Sequence, residues 1–145
     1  MEPNTALTAV ISRLNAAGLT EARSPLGVQR ASSQRVNRSF SVRPQSLSPS
    51  PSPGRGKAAS DGLRIEQVFN VELGHSLKPG DGQEAPSLAL QDLHRAMRYL
   101  SANGSNLTTE GAILFSPATQ SYDGGGAFMI TAFQLRVIYT LSLVI

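Results

Sequence analysis

The chain has 145 residues and no cysteine, so it is long enough for one core without staples, and a disulfide scaffold, a thiolate metal site and a cysteine nucleophile are excluded. Its net charge of +3 is lopsided: residues 1–62 carry eight basic and three acidic groups, residues 63–145 five and seven. Seven of the cations fall between Arg23 and Lys57 with no acid among them, a distribution that suits a solvated strand face plus a loop, or a surface tracking phosphates or an acidic protein.

No aromatic-basic interleaving accompanies those cations, which favours the solvated reading over nucleic-acid binding. The start, Met1-Glu2-Pro3-Asn4, lacks the basic and apolar character of a secretory leader, and a cytoplasmic setting is expected. An amphipathic helix is the first predicted element. Asn4 or Thr5 can cap it, and Leu7, Val10, Ile11 and Leu14 recur at helical spacing. Ala16-Ala17-Gly18 ends it, with Gly18 suited to the left-handed conformation that closes helices. So short a helix is marginal alone and must dock its stripe on other structure.

After Pro25 the period changes to two. Val36, Arg38, Phe40 and Val42 alternate with Arg35, Asn37, Ser39, Ser41 and Arg43, which predicts a strand with one largely apolar face; Leu26 to Ala31 is its weakly marked hairpin partner. From Pro44 to Asp61 a Ser/Pro/Gly tract carries almost no apolar side chain and reads as a long loop, either an arm reaching a neighbouring subunit or an untethered surface loop. Leu63, Ile65, Phe69, Val71 and Leu73 then alternate with Arg64, Glu66, Asn70 and Glu72, a half-buried strand of a sheet with one wet side.

Gly74 to Glu84 reads as a turn-rich connection around Pro79-Gly80-Asp81-Gly82. A second helix follows, with Pro86 in its first turn and an apolar stripe of Leu90, Leu93, Met97 and Leu100. Asp92 near its start and Arg95 and Arg98 near its end complement the helix dipole, and Asn103-Gly104 stops it. Ala112 to Phe115 is a short strand, joined through Asp123-Gly124-Gly125-Gly126 to the segment Ala127 to Ile145, as a hairpin.

That last segment is apolar enough to raise a membrane anchor. Its alternation argues for a strand instead. Met129, Thr131, Phe133, Leu135, Val137, Tyr139, Leu141 and Leu143 form one face, while Gln134, Arg136, Thr140 and Ser142 fall on the other. In a bilayer Arg136 would lie near the centre, at a cost of about 2.5–3.5 kcal/mol.

The order of elements predicts an α+β fold: a mainly antiparallel sheet of about four to five strands, two packed helices and the long Ser/Pro/Gly-rich loop at 44–61, in a single domain over 1–145. Catalytic chemistry has little to draw on. The two histidines, His75 and His94, could each act as a base, but no Ser, Asp or Glu stands at diagnostic spacing, and His94 reads as a boundary residue on the second helix. Gly124-Gly125-Gly126 lacks the Lys-Ser/Thr of a phosphate loop, and Pro79-Gly80-Asp81-Gly82 lacks a calcium-ligand series. The Asn-X-Ser/Thr matches at Asn37, Asn103 and Asn106 carry no meaning without secretion. No enzyme, cofactor or metal is expected, and binding or assembly is.

In order, length and turn placement, the helix Thr5-Ala-Leu-Thr-Ala-Val-Ile-Ser-Arg-Leu, the strand from Arg35 to Pro44 feeding a loop, the strand Ile65-Glu-Gln-Val-Phe-Asn-Val-Glu-Leu, the helix Leu88 to Leu100 and the hairpin Ala112 to Leu143 resemble the tail terminator (tail completion, minor tail) proteins of long-tailed bacteriophages. The Ser/Pro/Gly tract departs from the compact pattern of that family. The resemblance implies a structural virion protein of the tail and neck, assembled in the host cytoplasm. It implies a ring, usually a hexamer, that caps the head-proximal end of the tail tube, ends polymerisation of the tube protein and presents its other face to a head-completion (stopper) protein. DNA would pass through the lumen without sequence-specific contact, and no membrane is involved. Another neck or head-tail connector component, or a small basic nucleic-acid-binding protein, is the alternative. No site motif transfers, so the candidate contacts are charges: Arg55 and Lys57 on the arm, and Arg35, Arg38 and Arg43 on the strand before it.

Overall fold

A computed structural model describes residues 2–22, 37–49, 62–77, 84–102, 112–123 and 128–142. Its elements are α1 (Pro3–Ala16), β1 (Thr20–Glu21), β2 (Ser39–Pro49), β3 (Gly62–Ser76), α2 (Glu84–Leu100), β4 (Ala112–Phe115), β5 (Thr119–Asp123) and β6 (Phe128–Ser142). Six strands form one sheet in the order β1-β2-β3-β6-β4, with β5 also paired to β6. All pairings are antiparallel except that of β1 with β2, so the fold is α+β. The proposed strand at Leu26–Ala31, together with Arg35, Arg55, Lys57 and the glycine turn 124–126, lies outside the described residues.

The centre of the sheet is the β3–β6 pair, fifteen residues on each strand, in unbroken register from Gly62 opposite Ser142 to Ser76 opposite Phe128. Paired residues share a face, so the odd positions of both strands align. Ile65, Phe69, Val71 and Leu73 meet Phe133, Leu135, Val137 and Tyr139 in one buried cluster, covered by Ala6, Val10 and Leu14 of α1 and Ala96 and Leu100 of α2. The alternation read from the sequence therefore holds over 129–139, and the terminal segment is a central strand. Each large apolar side chain buried there contributes about 1.5–3 kcal/mol.

α1 starts two to three residues earlier than expected. Glu2, not Asn4 or Thr5, stands at its N-cap without a side-chain bond, and Pro3 opens the helix, where its missing N–H costs nothing. Gly18 closes it at φ +93°, its N–H donating to Asn15 O at 3.0 Å. The deepest line is Ala6, Val10, Leu14 and Ala17, with Leu7 and Ile11 packed at its flank.

Two strand ends differ from the sequence reading. β2 does not stop at Arg43 but runs through Pro44 to Pro49, pairing Ser46 to Pro49 with Val68 to Ile65 past a bulge at Gln45. Proline is tolerated there because this stretch is a sheet edge, where a missing N–H breaks no ladder. β3 continues through Gly74, His75 and Ser76, where the sequence suggests a turn. β5 and the two-residue β1 were not anticipated. β4 and β5 are one edge of β6 interrupted at Pro117, and Ser116 bridges the break: its N–H donates to Gln134 O at 3.0 Å and its hydroxyl accepts the Gln134 N–H at 2.7 Å.

Candidate functional site

At one end of the sheet three elements are tied by charge. Arg38 is not a strand residue but sits in the turn before β2 with φ +54°, a conformation that a non-glycine residue adopts only when its surroundings hold it. Asp92, in the middle of α2, does the holding: it accepts from Arg38 Nε at 3.1 Å and Nη2 at 2.9 Å, a two-pronged pair, and from His75 Nε2 at 2.8 Å. Next door, Asn37 Oδ1 accepts the Ser76 N–H at 3.1 Å.

The sequence reads Asp92 only as an acid near the helix start that complements its dipole. Its side chain is 2% exposed, because it falls on the buried line Ala89, Asp92, Ala96, Leu100. Burial works against its ionisation, but hydrogen bonds from Arg38 and then His75 outweigh that and hold its carboxyl below the ordinary range. Arg38 is raised in turn, chiefly by its hydrogen bond to Asp92. Since the carboxylate can only accept, His75 donates from Nε2, leaving Nδ1 as an acceptor in the neutral ring. That atom is buried without a partner among the described residues, as are Ser76 Oγ and Thr131 Oγ1. His75 is fully enclosed, so a substrate could reach it only by local opening; as it stands, the cluster is a clamp.

Arg43 lies on the other side of the sheet. This open face carries the even positions of β3 and β6, and its charges pair across strands: Arg43 with Glu72 at 2.9 Å and Arg136 with Glu66 at 3.7 Å. Gln134 Nε2 donates to Gln45 Oε1 at 2.9 Å, and a shallow depression of about 220 Å³ lies between Arg43, Glu72, Ser116 and Gln134. Arg38 and Arg43 are thus separated rather than gathered into one basic contact strip, because five residues of odd spacing and a turn divide them between opposite faces.

Two sheet edges are open among the described residues. Beyond β1, residues 42–49 of β2 have no outer neighbour, and Leu47 is 50% exposed beside Pro44 and Leu7. On the opposite edge, β4 and β5 expose Leu114 and Tyr122. The outer face of α2 is the remaining exposed feature. Leu90, expected in the buried stripe, is 60% exposed and shares a depression with Ser87, Gln91, His94, Arg95 and Arg98; Ala89, one residue earlier, takes the buried place.

Among the described residues no group of three His, Cys, Asp or Glu is placed to hold a metal ion, and no helix is long and apolar enough to cross a membrane. No protein-family model matches the chain, and no curated protein matches it.

Proposed function

We propose that the chain is a structural ring protein of the tail-terminator type, which caps a phage tail tube at its head-proximal end and offers the joining surface to the head. The observation that carries this reading is the pair of edges, open among the described residues, on opposite sides of one sheet, each with an exposed leucine, Leu47 and Leu114. An edge meeting its opposite on the next copy is a head-to-tail contact, and such contacts close into a ring when the rotation between copies divides a full turn. Pro44, Pro49 and Pro117 on these edges limit the registers in which copies can pair, which disfavours open-ended sheet growth.

Capping then requires one ring face to match the tube subunit and the other to reject it. A lumen lined by the open face would suit passing DNA, because its arginines Arg43 and Arg136 already have carboxylate partners and would grip phosphates weakly. The same pairing, with Arg38 held by Asp92, leaves these three arginines less available to nucleic-acid phosphates.

Light scattering and electron imaging of the purified protein, with and without the tail-tube protein, test the reading. A ring with a central hole, or a ring formed only on tube ends that stops their growth, is expected. A monomer indifferent to the tube protein overturns it. Deleting residues 51–58 is expected to leave the fold intact and to weaken assembly if that segment, with Arg55 and Lys57, is an arm.

A further inference from the structure

The outer face of α2 has a composition that neither the core nor the sheet edges explain. Ser87, Leu90, Gln91, His94 and Arg98 line up one helical turn apart along an open depression of about 450 Å³, with Arg95 at its rim. Leu90 is 60% exposed, and Tyr99 is also exposed. Neither Arg95 nor Arg98 has a carboxylate partner among the described residues; the one acid in the middle of the helix, Asp92, is buried on the opposite side and engaged by Arg38 and His75. Arg95 leans toward the end of α1, its Nη1 lying 3.7 Å from where a Cβ on Gly18 would stand, near the negative end of that helix. His94 and Arg98 line the depression itself.

We infer that this face is a docking site for an acidic amphipathic helix of another protein, seated with an apolar side chain against Leu90 and carboxylates against His94 and Arg98. Charge complementarity fixes the sign of the partner. The leucine fixes its class, since a phosphate backbone has no use for an exposed apolar centre, whereas a helix-in-groove contact is built from one or two such anchors with charges around them. The spacing sets the pattern. At 1.5 Å per residue His94 lies about 6 Å and Arg98 about 12 Å from Leu90 along the axis, so the partner should carry carboxylates one and two turns from its apolar anchor. The proposal goes beyond the ring reading and does not depend on it.

The test uses the full chain and a synthetic helical peptide with one leucine flanked by glutamates four and eight residues to either side, followed by fluorescence anisotropy at low and high salt. Binding that weakens with salt is expected, with a loss of about tenfold for Leu90→Ser and for Arg98→Glu. A version with lysines in place of the glutamates should not bind. Both altered side chains point outward, so the melting temperature should stay put and report an intact fold. Absence of binding, or binding that ignores both substitutions, overturns the proposal. Stronger salt-dependent binding of duplex DNA than of the peptide, abolished by Arg98→Glu, would give the face to nucleic acid. Self-association lost in Leu90→Ser would give it to a second copy of the chain. Either result would replace the partner argued here.

Discussion

The two faces of the β3–β6 pair are made by the same thirty residues, yet their polar contacts have different weight. On the helix-covered face, the Tyr139 hydroxyl donates to Gln67 Oε1 at 2.7 Å with both side chains buried. The Arg38–Asp92–His75 cluster closes the end of that same layer. On the open face the geometry is as good, with Arg43 to Glu72 and Gln134 to Gln45 both at 2.9 Å, but these pairs are open to competing water. Burial, more than distance, decides what a contact does. A buried donor or acceptor that loses its partner pays its full desolvation, whereas an exposed one returns to solvent.

The sharpest way to break the contrast is to remove apolar volume from the covered face. Phe69→Ala is expected to destabilise by about 3–5 kcal/mol, because Phe69 is fully buried between β2, β3 and β6, and denaturant unfolding will read the loss. Asp92→Ala comes next, at about 3 kcal/mol, since it leaves His75 buried with no acceptor and frees Arg38, whose own partial exposure moderates the cost. The acid side of the stability profile should report the same group. The Asp92 carboxyl is held below its unfolded value, so its contribution is complete above that value of about 4 and is lost as the pH falls through the folded one. Unfolding of Asp92→Asn followed from pH 6 down to 2 should therefore show a shallower acid decline than the parent chain.

Tyr139→Phe is expected to cost about 1–3 kcal/mol by orphaning Gln67, and adding Gln67→Leu should recover much of it. Burial first, and Glu2 second, push the Tyr139 phenol up to about 12. Its contribution is thus complete below the ordinary phenol value of about 10 and is lost as the pH rises through the folded one, which an ultraviolet titration can follow. Smallest of all, Glu72→Gln on the open face should change stability by less than about 1 kcal/mol. If it matches Asp92→Ala, the two faces do not differ in the way argued.

The long strands were legible because a sheet buried on one side writes its period directly into the sequence: Leu63 to Leu73 and Met129 to Tyr139 alternate with few exceptions. Gly18 marked the helix end for an equally local reason, its positive φ. What escaped depends on neighbours far along the chain. Pro44 to Pro49 reads as loop until its place at an edge is known, and β5 is hidden behind Pro117. In α2 the eye follows Leu90, but the helix turns its alanines inward; Ala89 and Ala96 flanking Asp92 were the available sign that a carboxylate lay on the buried line. Arg38 could not be separated from Arg35 and Arg43 by charge alone, because its role is set by a turn and by an acid 54 positions away. No local pattern singles out the exposed ridge of α2.

The unbroken β3–β6 register also orders events in time. Gly62 waits for Ser142 and Ser76 for Phe128, so the sheet's central ladder cannot start before Phe128 is synthesised or be complete before Ser142 is. Until then β3 carries Ile65, Phe69, Val71 and Leu73 along a ribbon whose partner does not yet exist, flanked only by β2 and whatever cover α1 provides. Pairing across such sequence separation is slow relative to helix formation. Until β6 pairs with it, that side of β3 is a site where another chain could add, and the prolines at the far end of β2 protect the edge beside it.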